Sequence, residues 1–309
     1  MIKDFRIGEK IDGYFLLTDV QIRTSSNNNP YLTGKLSDIT GSLDFQLWDY
    51  SGPMSSADNG EIADVSGEIR EYKGVKQMTV YSIEIITDYS GVDLDKIIKQ
   101  APIDSDKAMG YLDDMIESIT DEDYRKVTRI IFDAHKDRFR RIPAAKSVHH
   151  GFLSGLLMHT SYMVRIADFL SRTYKDITDR SLLIAGTILH DFAKEYEFMF
   201  SELGIVSDYS VKGQLLGHLV MGSDEVDRVC RENDIPEEKC VLLQHMILSH
   251  HGDPEFGAAV KPMIAEAEML SLIDMLDSRM EIYRENITDL KKGEFSKKIF
   301  ALDRRIMKH

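Results

Sequence analysis

The stretch Leu182–Phe198, LLIAGTILHDFAKEYEF, decides the reading of this 309-residue chain. It opens as an apolar helical run, then sets His190 beside Asp191 and follows with Lys194. Neighbouring residues on a helix diverge by about 100°. At a helix end, side chains of different reach can still converge on one ion. Lys194 is four residues from His190 and three from Asp191, so it lies on the same side.

The same kind of placement recurs outward from this point. His159 lies in GLLMHT, His218 in LLGHLV, His250 and His251 in LSHHG, and Asp274 in SLIDMLD. Each sits on or at the end of an apolar helical segment, where burial is costly without a partner. Divalent metal ions held by neutral imidazoles and carboxylates supply that partner. Mixed nitrogen and oxygen donors suit manganese, iron, cobalt or zinc without choosing among them. A lone histidine on an apolar helix is more often a hydrogen-bonded core residue, and His245 reads that way. His135, His149 and His150 stay open between the two roles. The basic run Arg138, Arg140, Arg141 and Lys146 reads equally as a solvated surface or as a guide for a phosphate backbone.

The net charge is −14, which argues against holding nucleic acid by bulk charge. Any phosphate ligand needs a local basic patch or bound metal ions. No run of eighteen apolar residues suggests a membrane span, and the N-terminus lacks the apolar core of a signal peptide. The two cysteines, Cys230 and Cys240, form no CxxC motif and read as reduced thiols, so the expected location is cytoplasmic.

Two periods divide the chain. Residues 1–88 read as β structure: YFLLTDVQIRT, YLTGKLSDIT, GSLDFQLWDY, and two strands in EIADVSGEIREYKGVKQMTVYSIEIIT around a Lys73-Gly74 turn. SGPMSSADNG between the third and fourth strands suits a helical turn. Five short strands with glycine turns imply a small barrel, and the layout resembles an OB-fold. Tyr31, Phe45 and Trp48 are its candidate nucleic-acid face, since aromatic rings stack on bases without reading sequence. The competing reading is that these residues pack the barrel or another domain. Strand alternation puts Phe45 with Leu47 and Trp48 with Gln46, so they cannot all be core. Residues 89–104 read as a linker broken by Pro102. Residues 105–309 read as helical, with Ser105 as the first N-cap. The C-terminal FSKKIFALDRRIMKH is basic and reads as a tail or a last helix. The fold class is multi-domain α+β, a small barrel followed by an all-α domain.

The order H…HD…H…HH…D, from His159 to Asp274, resembles the HD superfamily of metal-dependent phosphohydrolases over roughly residues 145–280. HHGFLSGLLMHT, LLIAGTILHDFAK, GQLLGHLVMG and LSHHGDPEFGAAVKPMIAEAEMLSLIDMLDSRM, preceded by a small β domain, resemble the YhaM family across the whole chain. That resemblance implies a manganese-dependent 3′–5′ exoribonuclease acting on single-stranded RNA. Single-stranded DNA and the oligomeric state stay open. It also implies one metal on His159, His190, Asp191 and Asp274, and a second on Asp191, His218 and His250. His251 would be a further ligand or a supporting donor. Two such ions roughly 4 Å apart supply a hydroxide nucleophile at neutral pH and polarise the phosphate. Lys194 would neutralise a phosphoryl oxygen as charge builds. Asp191 and Lys194 are thus the expected catalytic residues. Two rival readings are a phosphohydrolase of small nucleotides, such as a dNTP or cyclic nucleotide, and a nucleic-acid-binding protein with an inactive HD scaffold. The barrel argues against the first, and the intact ligand set argues against the second.

Overall fold

The computed structural model describes residues 1–144, 152–201, 203–288 and 290–309. Near the N-terminus the alternating apolar residues form β1 (Lys10–Thr24), β2 (Pro30–Asp38), β3 (Gly41–Trp48), β4 (Ile62–Tyr72) and β5 (Val75–Ile85). They close into a barrel in the order β1-β2-β3-β5-β4, with β4 returning to β1. Only β3 and β5 run parallel. This is the five-stranded OB layout. β1 serves two neighbours because it is long and bulged: Lys10–Leu16 pairs with β4, and Leu16–Thr24 pairs with β2 on both sides of an irregularity between Thr18 and Gln21. Bulges of this kind bend a strand around a barrel. Leu17, Leu32, Leu36, Phe45, Ile69 and Met78 fill the interior. Gly34 faces Phe45 across β2 and β3, and a Cβ there would come within 2.9 Å of the ring, so glycine makes room for it. Lys73 and Gly74 both have positive φ, the turn read from the sequence. A short 3₁₀ turn at Ser56–Asp58 closes the loop before β4.

The chain divides into two compact units, residues 1–100 with 200–207 and residues 101–199 with 208–309. Where the sequence suggests a linker over 89–104, the first unit runs on to Gln100. A 3₁₀ turn at Leu94–Lys96 is followed by buried Ile97 and Ile98, and Ile39 N donates to Lys96 O at 3.2 Å.

The second unit contains α1 (Ser105–Glu117), α2 (Glu122–Phe139), α3 (Gly155–Thr173), α4 (Arg180–Leu189) and the single turn α5 (Lys194–Glu197). After strands β6 (Phe198–Phe200) and β7 (Val206–Tyr209) come α6 (Val211–Glu232), α7 (Glu237–Ser249) and α8 (Ala265–Ile287). Asp104 caps α1 by accepting from Lys107 N at 3.1 Å, one residue earlier than the expected Ser105. The longer reach of Asp suits this bond.

α4 is the central helix. Asp179 caps its start, and every residue from Ser181 to Leu189 is buried. It packs against α2, α3, α7 and α8. Each fully buried Leu or Ile contributes roughly 1.5–3 kcal/mol, so this helix anchors the polar residues at its end. No helix among the described residues is long and apolar enough to cross a membrane.

The C-terminal residues form neither a tail nor an α-helix, and their only helical part among the described residues is a 3₁₀ turn at Phe300–Leu302. They fold back as an irregular hairpin with Phe295 opposite Met307 and Ile299 opposite Arg304. The positive-φ Asp303 breaks the helical pattern that FSKKIFALDRRIM suggests, while Leu302 and Ile306 find a buried seat against Ile282.

Candidate active site

The polar trio begins where α4 ends. His190 follows Leu189 as the C-cap, and its Nδ1 donates to Thr187 O at 2.8 Å. Asp191 is only 2% exposed. Its Oδ2 accepts from Lys194 Nζ at 2.6 Å and lies 3.3 Å from His190 Nε2 and 3.9 Å from His159 Nε2. Its Oδ1 faces the other way, 3.3 Å from His218 Nε2 and 3.5 Å from His250 Nε2. One carboxylate therefore stands between two groups of donors. His159, His190 and Asp191 offer donor atoms within 4.8 Å of one another, and so do His218, His250 and His251. Asp274 of α8 joins the first group, with Oδ1 3.3 Å from His159 Nε2.

Four of these imidazoles, those of His159, His190, His218 and His250, are turned by a bond on the far side. His159 Nδ1 meets Asp277 Oδ2 at 2.7 Å, and His218 Nδ1 meets Glu197 Oε2 at 2.9 Å. His250 Nδ1 donates to Ile247 O at 2.7 Å. With Nδ1 as the donor in each of these rings, Nε2 is the atom left to face the space, the usual arrangement around a bound metal. His218 reaches its position because α6 breaks one residue earlier: Gly217 has φ +70° and ψ 163°, a conformation that favours glycine. Glu197 holds the break by also accepting from His218 N at 3.2 Å.

The donor set fits divalent metal. Asp191 Oδ1, His218 Nε2, His250 Nε2 and His251 Nδ1 are buried without a hydrogen-bond partner among the described residues. Each such atom costs roughly 1–3 kcal/mol, and a cation among them would satisfy all four. The electrostatics agree. Burial opposes charge on Asp191, yet Lys194 and His190 hold its carboxyl well below the usual range. Burial likewise works against charge on Asp274, but His159 lowers it. Burial also disfavours a charged His159, but Asp274 and Asp277 outweigh it and push the imidazole up to about 9. His251, buried beside His250 and His218, is pushed down to about 3. The carboxylate side attracts positive charge, while the histidine side keeps its lone pairs.

A cleft of about 200 Å³ opens onto the cluster, lined by His250, His251, Phe256, Asp274, Met275 and Arg279 among others. The cluster thus gathers His159, His190, Asp191, His218, His250, His251, Asp274 and Lys194, all named from the sequence. Asp277 and Glu197 were missed. Asp277 follows Asp274 by three residues, so helical spacing carried a signal for it. No spacing rule ties Glu197 to His218. His245 Nε2 accepts from Met263 N at 3.0 Å, a structural role. His135 lies outside the cluster, with Nδ1 2.7 Å from Glu195 and Nε2 3.0 Å from Glu225. Arg140 pairs with Asp106, and Arg138 lies 3.9 Å from Glu195. Lys146, His149 and His150 lie outside the described residues.

On the barrel, Tyr31 and Trp48 face each other across β2 and β3 with ring centroids 4.8 Å apart, and Trp48 is 47% exposed. They line a groove of about 730 Å³ with Asn29, Gln46, Tyr72 and Gln77. Phe45 is not on this face. It is fully buried in the barrel core, because the alternation of β3 turns Leu43 and Phe45 inward.

The HD domain family is matched over residues 156–279. The chain is 35% identical over 306 residues to the 3′–5′ exoribonuclease YhaM of Shouchella clausii, covering 98% of this chain and 94% of that protein. It is 35% identical to the YhaM of a Geobacillus species (98% and 93%) and 34% identical to that of Bacillus subtilis (97% and 94%). Among solved structures, an OB domain from Methanosarcina mazei aligns at 22% identity with a TM-score of 0.24, covering 28% of this chain and 82% of that one. At that score the OB assignment rests on the barrel's own strand order. Identity of this level over nearly the full length of both chains decides membership: the chain belongs to the YhaM family of 3′–5′ exoribonucleases.

Proposed function

We propose that this protein is a metal-dependent 3′–5′ exoribonuclease that removes nucleoside 5′-monophosphates from single-stranded RNA. The observation that carries the reading is Asp191, a buried carboxylate whose two oxygens face two separate groups of metal-type donors. The relatives bear the name of that activity over almost the whole chain.

In this reading His159, His190, Asp191 and Asp274 hold one divalent ion. Asp191, His218 and His250 hold a second, with His251 beside them, and manganese is the favoured ion. Bound ions of this kind polarise the phosphate and deprotonate water near pH 7. The remaining work belongs to the chain. Lys194 keeps its ammonium charged, because Asp191 overcomes the penalty of burial. In this reading it offsets charge that builds on a phosphoryl oxygen. Thr187 O, Ile247 O, Glu197 and Asp277 hold four imidazoles in one tautomer, so the site does not reorganise at each turnover. The Tyr31–Trp48 pair offers ring faces to unpaired bases, which holds a strand without selecting its sequence.

The test is a 5′-labelled single-stranded RNA incubated with the protein and manganese, beside a dNTP and a cyclic nucleotide. The expected result is a ladder shortening from the 3′ end, 5′-monophosphate products and loss of both in chelator. Turnover of the small nucleotides without RNA shortening would replace this reading with a nucleotide phosphohydrolase.

A further inference from the structure

Charge is unevenly distributed along the chain. Residues 290–309 carry seven Lys and Arg side chains against two carboxylates, a net of +5, which leaves −19 on residues 1–289. This basic segment is built into the helical unit. Gly293 N donates to Lys308 O at 2.6 Å, Ser296 N to Ile306 O at 2.8 Å, and Ile299 N to Arg304 O at 2.9 Å. Leu302 and Ile306 are buried against Ile282 of α8, with Tyr283 and Ile287 beside them. α8 also carries Asp274, eight residues before Ile282 and thirteen before Ile287, so the hairpin's seat lies roughly 12–20 Å along the axis from the metal-type donors.

Outside the hairpin some cations, such as Lys76 and Lys126, also donate to backbone carbonyls, but they stand singly, and many others pair with carboxylates. Arg129 meets Asp113, Glu117 and Asp133, and Lys239 sits between Asp121 and Asp123. In the hairpin only Lys298 has a carboxylate partner among the described residues, Asp303. Arg304 Nε donates to Leu302 O at 3.0 Å, and Arg305 Nε donates to Ser296 O at 2.9 Å. The Arg305 guanidinium also lies over the Phe295 ring, 5.2 Å from its centroid. These partners are neutral, so they orient the charges without cancelling them. Lys291, Lys292 and Lys297 are exposed, and their ammonium groups make no hydrogen bond or ion pair among the described residues.

We propose that the C-terminal hairpin, residues 291–308, is an RNA-binding site that grips the phosphate backbone of the strand whose 3′ end is being removed. The proposal rests on RNA being the substrate. A chain of net charge −14 repels a polyanion at long range. A patch of uncompensated cations reverses the field locally, and releasing the counterions that an RNA carries drives binding. The hairpin is the part of the described chain where such cations are concentrated and held by backbone bonds.

The test uses full-length protein carrying Lys291→Gln, Lys292→Gln and Lys297→Gln together. These three side chains are outside the apolar seat of Leu302 and Ile306, and a triple Lys→Arg variant is the charge-preserving control. Binding of a fluorescein-labelled 20-nucleotide oligouridylate is measured in chelator, where no cutting occurs, across a series of salt concentrations. Each lost contact to a single strand reduces the slope of log affinity against log salt by about 0.7, so the Gln variant is expected to lose about 2 from the slope. The Arg variant keeps it. An unchanged slope in the Gln variant overturns the proposal. The exposed Phe300 at the hairpin tip would also suit a contact with a second copy of this chain. In that case the Gln variant alters sedimentation and leaves the slope alone, which equally overturns it. If the unaltered protein binds RNA with a slope that the Gln variant reduces, yet releases no nucleotides, the proposed function fails and the binding site stands.

Discussion

The Nδ1 of His159 lies 2.7 Å from Oδ2 of Asp277, 118 residues further along the chain, with both residues buried. The bond fixes the ring so that Nε2 faces Asp274 at 3.3 Å. Asp277 thus orients a candidate metal donor from behind and does not itself enter the site. Loss of such a partner typically weakens metal affinity 10- to 100-fold. Asp277→Asn is expected to shift the manganese dependence of activity by that factor and to recover most of the rate at saturating metal. An unchanged manganese titration would show that the pair serves stability alone.

Asp191 supplies an oxygen to each donor group, so its removal should cost more than loss of either group alone. Asp191→Asn is expected to lower the rate on every substrate by at least about 10²-fold, without recovery at high metal. Both Asp191→Asn and Asp191→Ala leave Lys194 Nζ, 2.6 Å from the native carboxylate, without its counter-charge, and breaking a buried pair in this way costs about 3–5 kcal/mol. Asp191→Ala is the poorer test, because it also removes the oxygen that accepts from Lys194, so the alanine variant should melt at the lowest temperature. Full activity of Asp191→Asn would remove the basis for two metals sharing this residue.

The barrel and the site were legible to different degrees. The HD pair could be read because an apolar helix carrying buried His and Asp demands a partner, and because Asp274 and the other histidines stand in similar apolar settings. Phe45 was misread because composition marks an aromatic residue but does not say which face of β3 the closing barrel turns inward; Gly34 opposite it was the available clue. Glu197 could not be read at all. Its bond to His218 depends on the break at Gly217, and a glycine within a helical pattern does not announce a left-handed φ. The C-terminal hairpin was hidden for a related reason, since its buried residues Leu302 and Ile306 also fit helical spacing.

His135 provides a test of stability against pH. Burial disfavours its charged form, but Glu195 and Glu225 outweigh that and push it up to about 9, from an ordinary value near 6.5. The folded state therefore binds a proton between pH 6.5 and 9 that the unfolded state releases. The stabilisation is fully present below pH 6.5 and is lost as pH rises through 9. Its size is about 3 kcal/mol. Chemical denaturation in chelator should show the unaltered protein losing that much more stability over this window than His135→Gln. Parallel curves for the two proteins would mean that His135 is neutral in the folded state.

The last prediction separates holding the strand from cutting it. If the Tyr31–Trp48 pair stacks bases, Trp48→Ala should remove roughly 1–3 kcal/mol of binding, a loss of about 5- to 150-fold in affinity for long single strands. A dinucleotide occupies only the metal-donor cleft, so its turnover should barely change. Lys194→Ala should give the opposite pattern, because its charge matters most as the phosphoryl oxygens gain charge. It should lower kcat on long and short substrates by a similar factor and leave long-strand affinity intact. Steady-state kinetics on a 20-nucleotide RNA and a dinucleotide, run on both variants, reads the pattern directly. If Trp48→Ala slows the dinucleotide as much as the long strand, the ring is supporting the folded enzyme and its stacking role is lost. If Lys194→Ala changes only KM, its ammonium binds substrate and transition state equally, and the assignment of charge neutralisation to Lys194 fails.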